Sequence, residues 1–274
     1  MAAAGSPFRP RERREQPVPG SRRRAGIWWW LSLPMLLFLT VPLLALLLRS
    51  SPATVTHYLR TPAVQQALAL SLGTTNVTMV LAVVLGTPAA YLVARRRFPG
   101  RRTVEALLDL PVILPPAVAG VALLLAFGRR GLIGGPLGLE ITFTPAAVVM
   151  AQLFVASPFF VRAAALGFAS VEPELLQAAA LDGAGAWRRF RHVALPLAWP
   201  ALLEGAIMAW ARALGEFGAT IIFAGNLPGR TQTMPLAIYL GFELELDMAL
   251  TLAVILLGLS FFALVLVRVG LRKW

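Results

Sequence analysis

Within an apolar run, Arg212 and Glu216 stand four positions apart. On a helix that spacing puts both on one face, close enough to pair. A charge at mid-bilayer costs at least about 2.5–3.5 kcal/mol on insertion scales, so such residues pair with one another or face a bundle interior or water. The chemistry on offer is electrostatic. It is either an internal ion pair tying one helix to its neighbours or a polar lining on an anion's path. The internal pair is the stronger reading, because a fixed, uncompensated arginine in a pore would hold an anion too tightly to release it. Asp109 is a third candidate partner. Pro111, Pro115 and Pro116 crowd another apolar run. Prolines remove backbone donors and kink a helix, and the freed carbonyls need a partner or a water-lined cavity. A pathway-lining role for Pro115 and Pro116 stands level with ordinary tolerance of proline in membrane helices.

Other chemistry is poorly supplied. There is no cysteine, so thiolate ligands, disulfides and a Cys nucleophile are excluded. His57 and His192 are isolated and have no carboxylate cluster beside them, so neither a metal site nor any cofactor is expected. No catalytic constellation is present, and the chain is read as a non-enzyme. A phosphate-binding loop of the Gly-x-x-x-x-Gly-Lys-Ser/Thr type is also missing. The only lysine is Lys273, and Trp274 follows it rather than Ser or Thr.

The elements that must position these residues are membrane helices. Of 274 residues, 58% are hydrophobic and 14% charged, with a mean hydropathy of +0.73. Soluble domains run near roughly 45–50% and about 25%, so apolar surface must face lipid. A spanning helix needs about 20 apolar residues. Six runs approach that length: Ile27 to Leu48, Leu72 to Ala94, Leu107 to Phe127, Pro145 to Ala165, Leu202 to Phe223 and Ala249 to Val267. Val64 to Ser71 extend the second into the outer aqueous face. The first run is too long for a secretory signal and ends at Arg49 without a small-residue cleavage site, so an uncleaved helix is expected. Residues 1–26, rich in Arg, Pro and Gly, read as a disordered cytoplasmic tail. Residues 27–274 read as the transmembrane domain.

The net charge of +12 is distributed as a topology signal. Arginines cluster between spans two and three (Arg95, Arg96, Arg97, Arg101, Arg102), between four and five (Arg188, Arg189, Arg191) and after six. With six spans all these clusters share one side with the N-terminal arginines, which places both termini in the cytoplasm. An odd number would scatter them. No soluble basic domain remains to bind nucleic acid.

The longest cytoplasmic loop, residues 172–196, is the most informative segment. Glu172 and Pro173 read as a helix start. Leu175, Leu176, Ala179 and Leu181 form a short apolar stripe, and Gly183 fits the stop. A short helix of this kind either docks into a groove on another protein or lies on the bilayer. Its residues Gln177-Ala178-Ala179, Gly183 and Val193-Ala-Leu195-Pro196 resemble the cytoplasmic "EAA" loop of ATP-binding-cassette importer permeases, with the spacing in register over twenty residues. The departure is Gln177 where the family has Glu, which puts one polar contact to the ATPase in question. Leu110 to Gly120 with Phe127 to Gly131, and Ala211 to Thr220 with Phe223 to Thr233, are similar to helices three and five of molybdate permeases. The resemblance spans Val64 to Val267. Sulfate and tungstate permeases are close relatives of that group.

The resemblance implies an all-α, type I ABC importer permease in a bacterial or archaeal cell membrane. It implies a homodimer with the path at the dimer interface, served by partner ABC ATPase subunits and an extracytoplasmic oxyanion-binding protein. The cargo would be molybdate, with tungstate as a second oxyanion, and sulfate or thiosulfate under the alternative. Gln177, Ala178, Ala179, Gly183, Val193, Leu195 and Pro196 would couple to the ATPase. An ion-gradient-driven transporter would place more ionisable relays near the midplane and show internal repeats. Only Arg212 and Glu216 qualify, and no half of the sequence is repeated. A scaffold without transport would leave the polar outer loops and the proline-rich third span unexplained.

Overall fold

The computed structural model describes residues 21–270, with side chains from 28 to 268. The expected tail lies outside the described residues as far as residue 20, and so do Arg272 and Lys273. Among the described residues there are helices and loops and no strand.

Helix α1, Ser21–Arg49, forms a unit by itself. It begins at Ser21, so the helix takes in residues 21–26 that composition assigned to the tail. Its Trp28–Arg49 stretch is apolar all round and buries nothing, as suits a helix surrounded by lipid or by another chain.

The second unit begins at Arg49. It comprises α2 (Pro52–Tyr58), α3 (Pro62–Arg95), α4 (Arg101–Ile113), α5 (Pro116–Phe127), α6 (Pro145–Ser170) and α7 (Pro173–Leu181). There follow α8 (Ala186–Leu214), α9 (Gly218–Phe223), α10 (Met234–Leu244) and α11 (Leu246–Gly270). Proline in the first turn starts α2, α3, α5, α6, α7 and α10. Its missing N–H falls where a helix leaves that donor unpaired anyway.

Helix α6 is the hub. Its Ala156, Phe160, Ala164 and Phe168 are buried against Ala82 and Ala90 of α3 and Ala198, Leu202 and Ala209 of α8. Lipid is as apolar as leucine, so close packing rather than water exclusion holds such helices together, and small residues let backbones approach. At Gly205 of α8 an added Cβ would stand 2.9 Å from the Ala163 Cβ and 3.1 Å from the Phe160 carbonyl oxygen. A buried polar seam joins α3 to α6. There Thr78 donates to Gln152 Oε1 at 3.0 Å, and Gln152 Nε2 donates to Thr75 at 3.4 Å. Each buried side chain of the seam satisfies another, as a water-free interior requires.

Among the described residues five helices are long and apolar enough to span a membrane, and the third expected span is not one of them. It is broken into α4 and α5, bent by 116°. The cause is local: Leu114 and Pro115 are extended, with ψ of 135° and 134°, because the residue before a proline is driven out of the helical region. The two halves nevertheless meet α6 at successive depths. Asp109 of α4 pairs with Arg162, while Ala119 and Leu123 of α5 are buried with Ala147, Val148 and Ala151. That is the order of a chain running antiparallel to α6, which makes the α4–α5 pair the candidate for a sixth span.

The fifth expected span is displaced: the helix begins and ends earlier than the apolar run. Helix α8 stops at Leu214, and after a break over residues 215–217 the short α9 follows. Near its start α8 carries a π-helical turn over Phe190–Ala194. Pro196 has no N–H to give the His192 carbonyl, and Leu195 bonds back five residues to Phe190.

Candidate functional site

Two sets of residues were singled out by sequence, and the structure places them apart. The first lies in the loop between α6 and α8. Glu172 precedes α7 with extended ψ, and Pro173 opens it. Helix α7 ends in a two-bond cap in which Gly183 N–H donates to Ala180 O at 3.1 Å and Ala184 N–H to Ala179 O at 2.9 Å. That pattern needs a left-handed residue at its centre, and Gly183 supplies it with φ of +81°. Gln177, Ala178 and Gly183 are exposed and Ala179 half-buried, and Leu181 is 90% exposed. Val193 and Leu195 are half-buried in the π-turn region and Pro196 is exposed beside them. The loop therefore offers a surface of small and apolar side chains, with Leu175, Leu181 and Trp187 uncovered.

The loop is fastened at both legs. On the way out, Arg95 at the end of α3 donates from Nη2 to the Val171 carbonyl. On the way back, Phe190 packs edge-on to Tyr91 with centroids 4.9 Å apart, and Tyr91 packs edge-on to Phe168 at 5.2 Å. These contacts make α7 a projecting part of the α3–α6–α8 core. Sequence reasoning missed Tyr91, Arg95 and Phe190. Their only signal was an aromatic and an arginine placed where apolar runs end.

The second set surrounds the broken span. Arg212 Nη1 lies 3.0 Å from Glu216 Oε2. Glu216 is 1% exposed and its Oε1 accepts from the Ala219 N–H at 2.8 Å, capping α9. The two side chains are paired, and Glu216 stands just past the end of α8 rather than on it. Asp109 is not its third partner. Asp109 bonds Arg162 Nε at 2.5 Å, across from α4 to α6, so each carboxylate has its own guanidinium. Arg162, alone in an apolar run, was the overlooked signal. Arg212 is 30% exposed and shares a cavity of about 100 Å³ with Pro111, Pro116, Val155 and Phe159. Pro116 also meets Gly218, where an added Cβ would come within 2.6 Å of its own. Pro115 ends the extended break and its carbonyl accepts from Ala119. Arg212, Glu216 and Pro116 thus meet at one junction. Among the described residues no group of His, Asp and Glu could hold a metal.

Residues 82–273 match the family described as binding-protein-dependent transport system inner membrane component. The chain belongs to this family. Its members' fold is the one seen here, the all-helical type I ABC importer permease architecture. The molybdenum transport system permease protein ModB of Mycobacterium tuberculosis is 42% identical over 89% of this chain and 94% of its own length. The ModB of Escherichia coli is 42% identical over 64% of this chain and 78% of its length. The molybdate/tungstate permease WtpB of Thermococcus kodakarensis is 33% identical over 87% and 93%. Among solved structures, a chain of a bacterial alginate ABC transporter superposes with a TM-score of 0.69 at 15% identity, covering 91% of this chain and 96% of that one. A chain of the MetNI methionine ABC transporter gives 0.60 at 21% identity, covering 77% and 95%.

Proposed function

We propose that this chain is the permease subunit of an ATP-driven importer that carries molybdate or tungstate into the cytoplasm. The observation that carries the cargo is the 42% identity to a molybdenum permease along almost the whole of both chains. The protein is a multi-pass membrane protein and contributes no reaction of its own. Its work is to switch which side of the path is open, while partner ATPase subunits bind and hydrolyse ATP.

The segment Glu172–Pro196 is the point of coupling. Its support is physical: a short helix capped by Gly183, held out from the core by Arg95 and Phe190, with small exposed side chains that allow close docking. Gln177 in place of Glu leaves a polar group that donates as well as accepts. Two copies of the chain form the path between them, fed by an extracytoplasmic oxyanion-binding protein. Both termini lie in the cytoplasm of a bacterial or archaeal cell, on the side where the arginine clusters gather. Arg212 and Glu216 act as an internal tie at the junction of α5, α8 and α9.

The test is uptake by the whole complex in vesicles with its binding protein. Addition of ATP drives molybdate or tungstate inward, and excess sulfate competes poorly. Sulfate uptake with no response to molybdate moves the chain to the neighbouring sulfate group, and uptake without ATP refutes the importer.

A further inference from the structure

Behind α7, on the side facing α3, is a cavity of about 290 Å³ lined by Tyr91, Arg95, Arg96, Pro173, Leu176 and Arg189. Three arginines line it, and among the described residues none of them is in an ion pair. Nε of Arg95 and Nε of Arg189 are buried and have no hydrogen-bond partner among the described residues. Buried charged donors without an acceptor are costly, and each needs an explanation in a ligand or an ion. A second groove, of about 330 Å³, opens beside the first and shares Tyr91 and Arg96 with it. Its other walls are apolar: Pro88, Leu92, Trp187 and Phe190. Leu92 is on a spanning helix, and Trp187, 68% exposed, is an aromatic of the kind that sits at headgroup level.

We infer that this paired site binds an anionic phospholipid. The phosphodiester sits among Arg95, Arg96 and Arg189, and an acyl chain lies along Leu92 and Trp187. A free oxyanion would satisfy the arginines and leave the apolar groove empty. An acidic side chain of the ATPase would approach the outward face of α7, whereas the cavity is on its inward side. A lipid fits both halves, and basic pockets between spans at a cytoplasmic surface are where anionic headgroups collect. Since the cavity is walled by α3, α7 and α8, the bound lipid braces α7 against the core. The inference rests on reading this face as cytoplasmic, and its test reads bound lipid rather than cargo, so it can fail or succeed whichever oxyanion is carried.

The experiment purifies the whole complex in neutral detergent after exchange into vesicles of equal phosphatidylglycerol and phosphatidylcholine, then measures retained lipid by mass spectrometry. Phosphatidylglycerol is retained selectively. The double change Arg96→Gln with Arg189→Gln lowers that retention on the order of tenfold, as expected for two surface-region charges. Arg96→Gln alone, at an exposed position that leaves the Arg95–Val171 contact intact, lowers it several-fold and serves where the double variant fails to assemble. Unchanged retention in both variants overturns the proposal. Displacement of the lipid by inorganic phosphate or molybdate makes this a free-anion site and overturns it too. Loss of co-purified ATPase with lipid retention unchanged assigns the arginines to the ATPase instead.

Discussion

A buried carboxylate with two partners is a different object from a pore-lining charge. Glu216 is bonded by both Arg212 and the Ala219 N–H, so both of its oxygens are occupied. Removing one member of a buried pair typically costs about 3–5 kcal/mol, while removing both can be near neutral. Glu216→Gln, which keeps a carbonyl for Ala219 but leaves Arg212 unpaired, therefore lowers the thermal midpoint of the purified protein. The double change Arg212→Gln with Glu216→Gln is milder than Glu216→Gln alone. A double variant that folds and assembles yet transports nothing would give the pair to the pore. Gly183 is the second residue whose role is fixed locally. At φ of +81° a β-branched side chain strains the cap by about 1 kcal/mol or more, although nothing among the described residues lies within 4 Å of an added Cβ. Gly183→Val leaves the membrane helices folded and weakens the capture of ATPase by a tag on this chain, or leaves the ATPase bound with hydrolysis uncoupled from uptake. Full binding together with full ATP-driven uptake would remove the loop from the coupling role. Both residues were visible in the sequence because each breaks its surroundings: a charge in an apolar run, a glycine at the end of a stripe. Arg162 breaks its run in the same way, and its pairing with Asp109 was missed because sequence spacing is silent on partners 53 positions apart.

Elements were legible where they are long and continuous, and less so where backbone chemistry interrupts an apolar run. Composition marks Leu107 to Phe127 as one stretch, but the extended residues Leu114 and Pro115 split it, since hydropathy does not sense the backbone restriction before proline. Helix α8 was expected to reach Phe223 and stops at Leu214, where Gly215 follows and hydropathy again does not sense the break. Helix α2 was hidden because seven residues make too weak a pattern. Tyr58, at its end, donates to Glu245 Oε1 at 2.7 Å, tying α2 to the junction of α10 and α11. That hydrogen bond raises the Tyr58 pKa above the usual 10.0, with partial desolvation and the nearby Glu245 and Asp247 charges adding to it. A raised pKa means the tie is present below the ordinary tyrosine range and is lost as pH rises through the raised value. The protection of α2, corrected for the intrinsic rise of amide exchange with pH, is therefore steady near neutral pH and falls in strong base, and Tyr58→Phe lowers it at neutral pH with the difference closing above the raised value. Packing between elements gives a sharper test. Gly205→Ala puts a methyl 2.9 Å from the Ala163 Cβ, and overpacking of this kind costs about 1–3 kcal/mol. Pairing it with Ala163→Gly recovers part of the loss of thermal stability, and no recovery would show that the helices do not meet at this point.

At the scale of the molecule, the question is how often the chain crosses the bilayer. Among the described residues five helices satisfy length and hydropathy, and a sixth crossing rests on the α4–α5 pair with its 116° bend. A bend of that size is also what a re-entrant hairpin would have, so the two arrangements differ in where the chain emerges. The packing against α6 runs in one direction, from Arg162 opposite Asp109 to Ala147 and Val148 beside Ala119 and Leu123. This carries the chain from one face to the other. The arginine distribution agrees. A crossing puts Arg95 to Arg102 and Arg188 to Arg191 on a common side, whereas a hairpin would separate them and place a basic cluster outside, against the usual bias. A reporter inserted near Gly100, which lies in the exposed turn before α4, therefore reads as cytoplasmic. One near Gly134, in the loop after α5, reads as external, and one fused after Lys273 reads as cytoplasmic. If Gly100 and Gly134 report the same side, α4 and α5 form a hairpin. The six-span arrangement then falls, and the contact of Arg95 with the Val171 carbonyl, which keeps the two basic loops at one end of the core, is left without a topology that explains it.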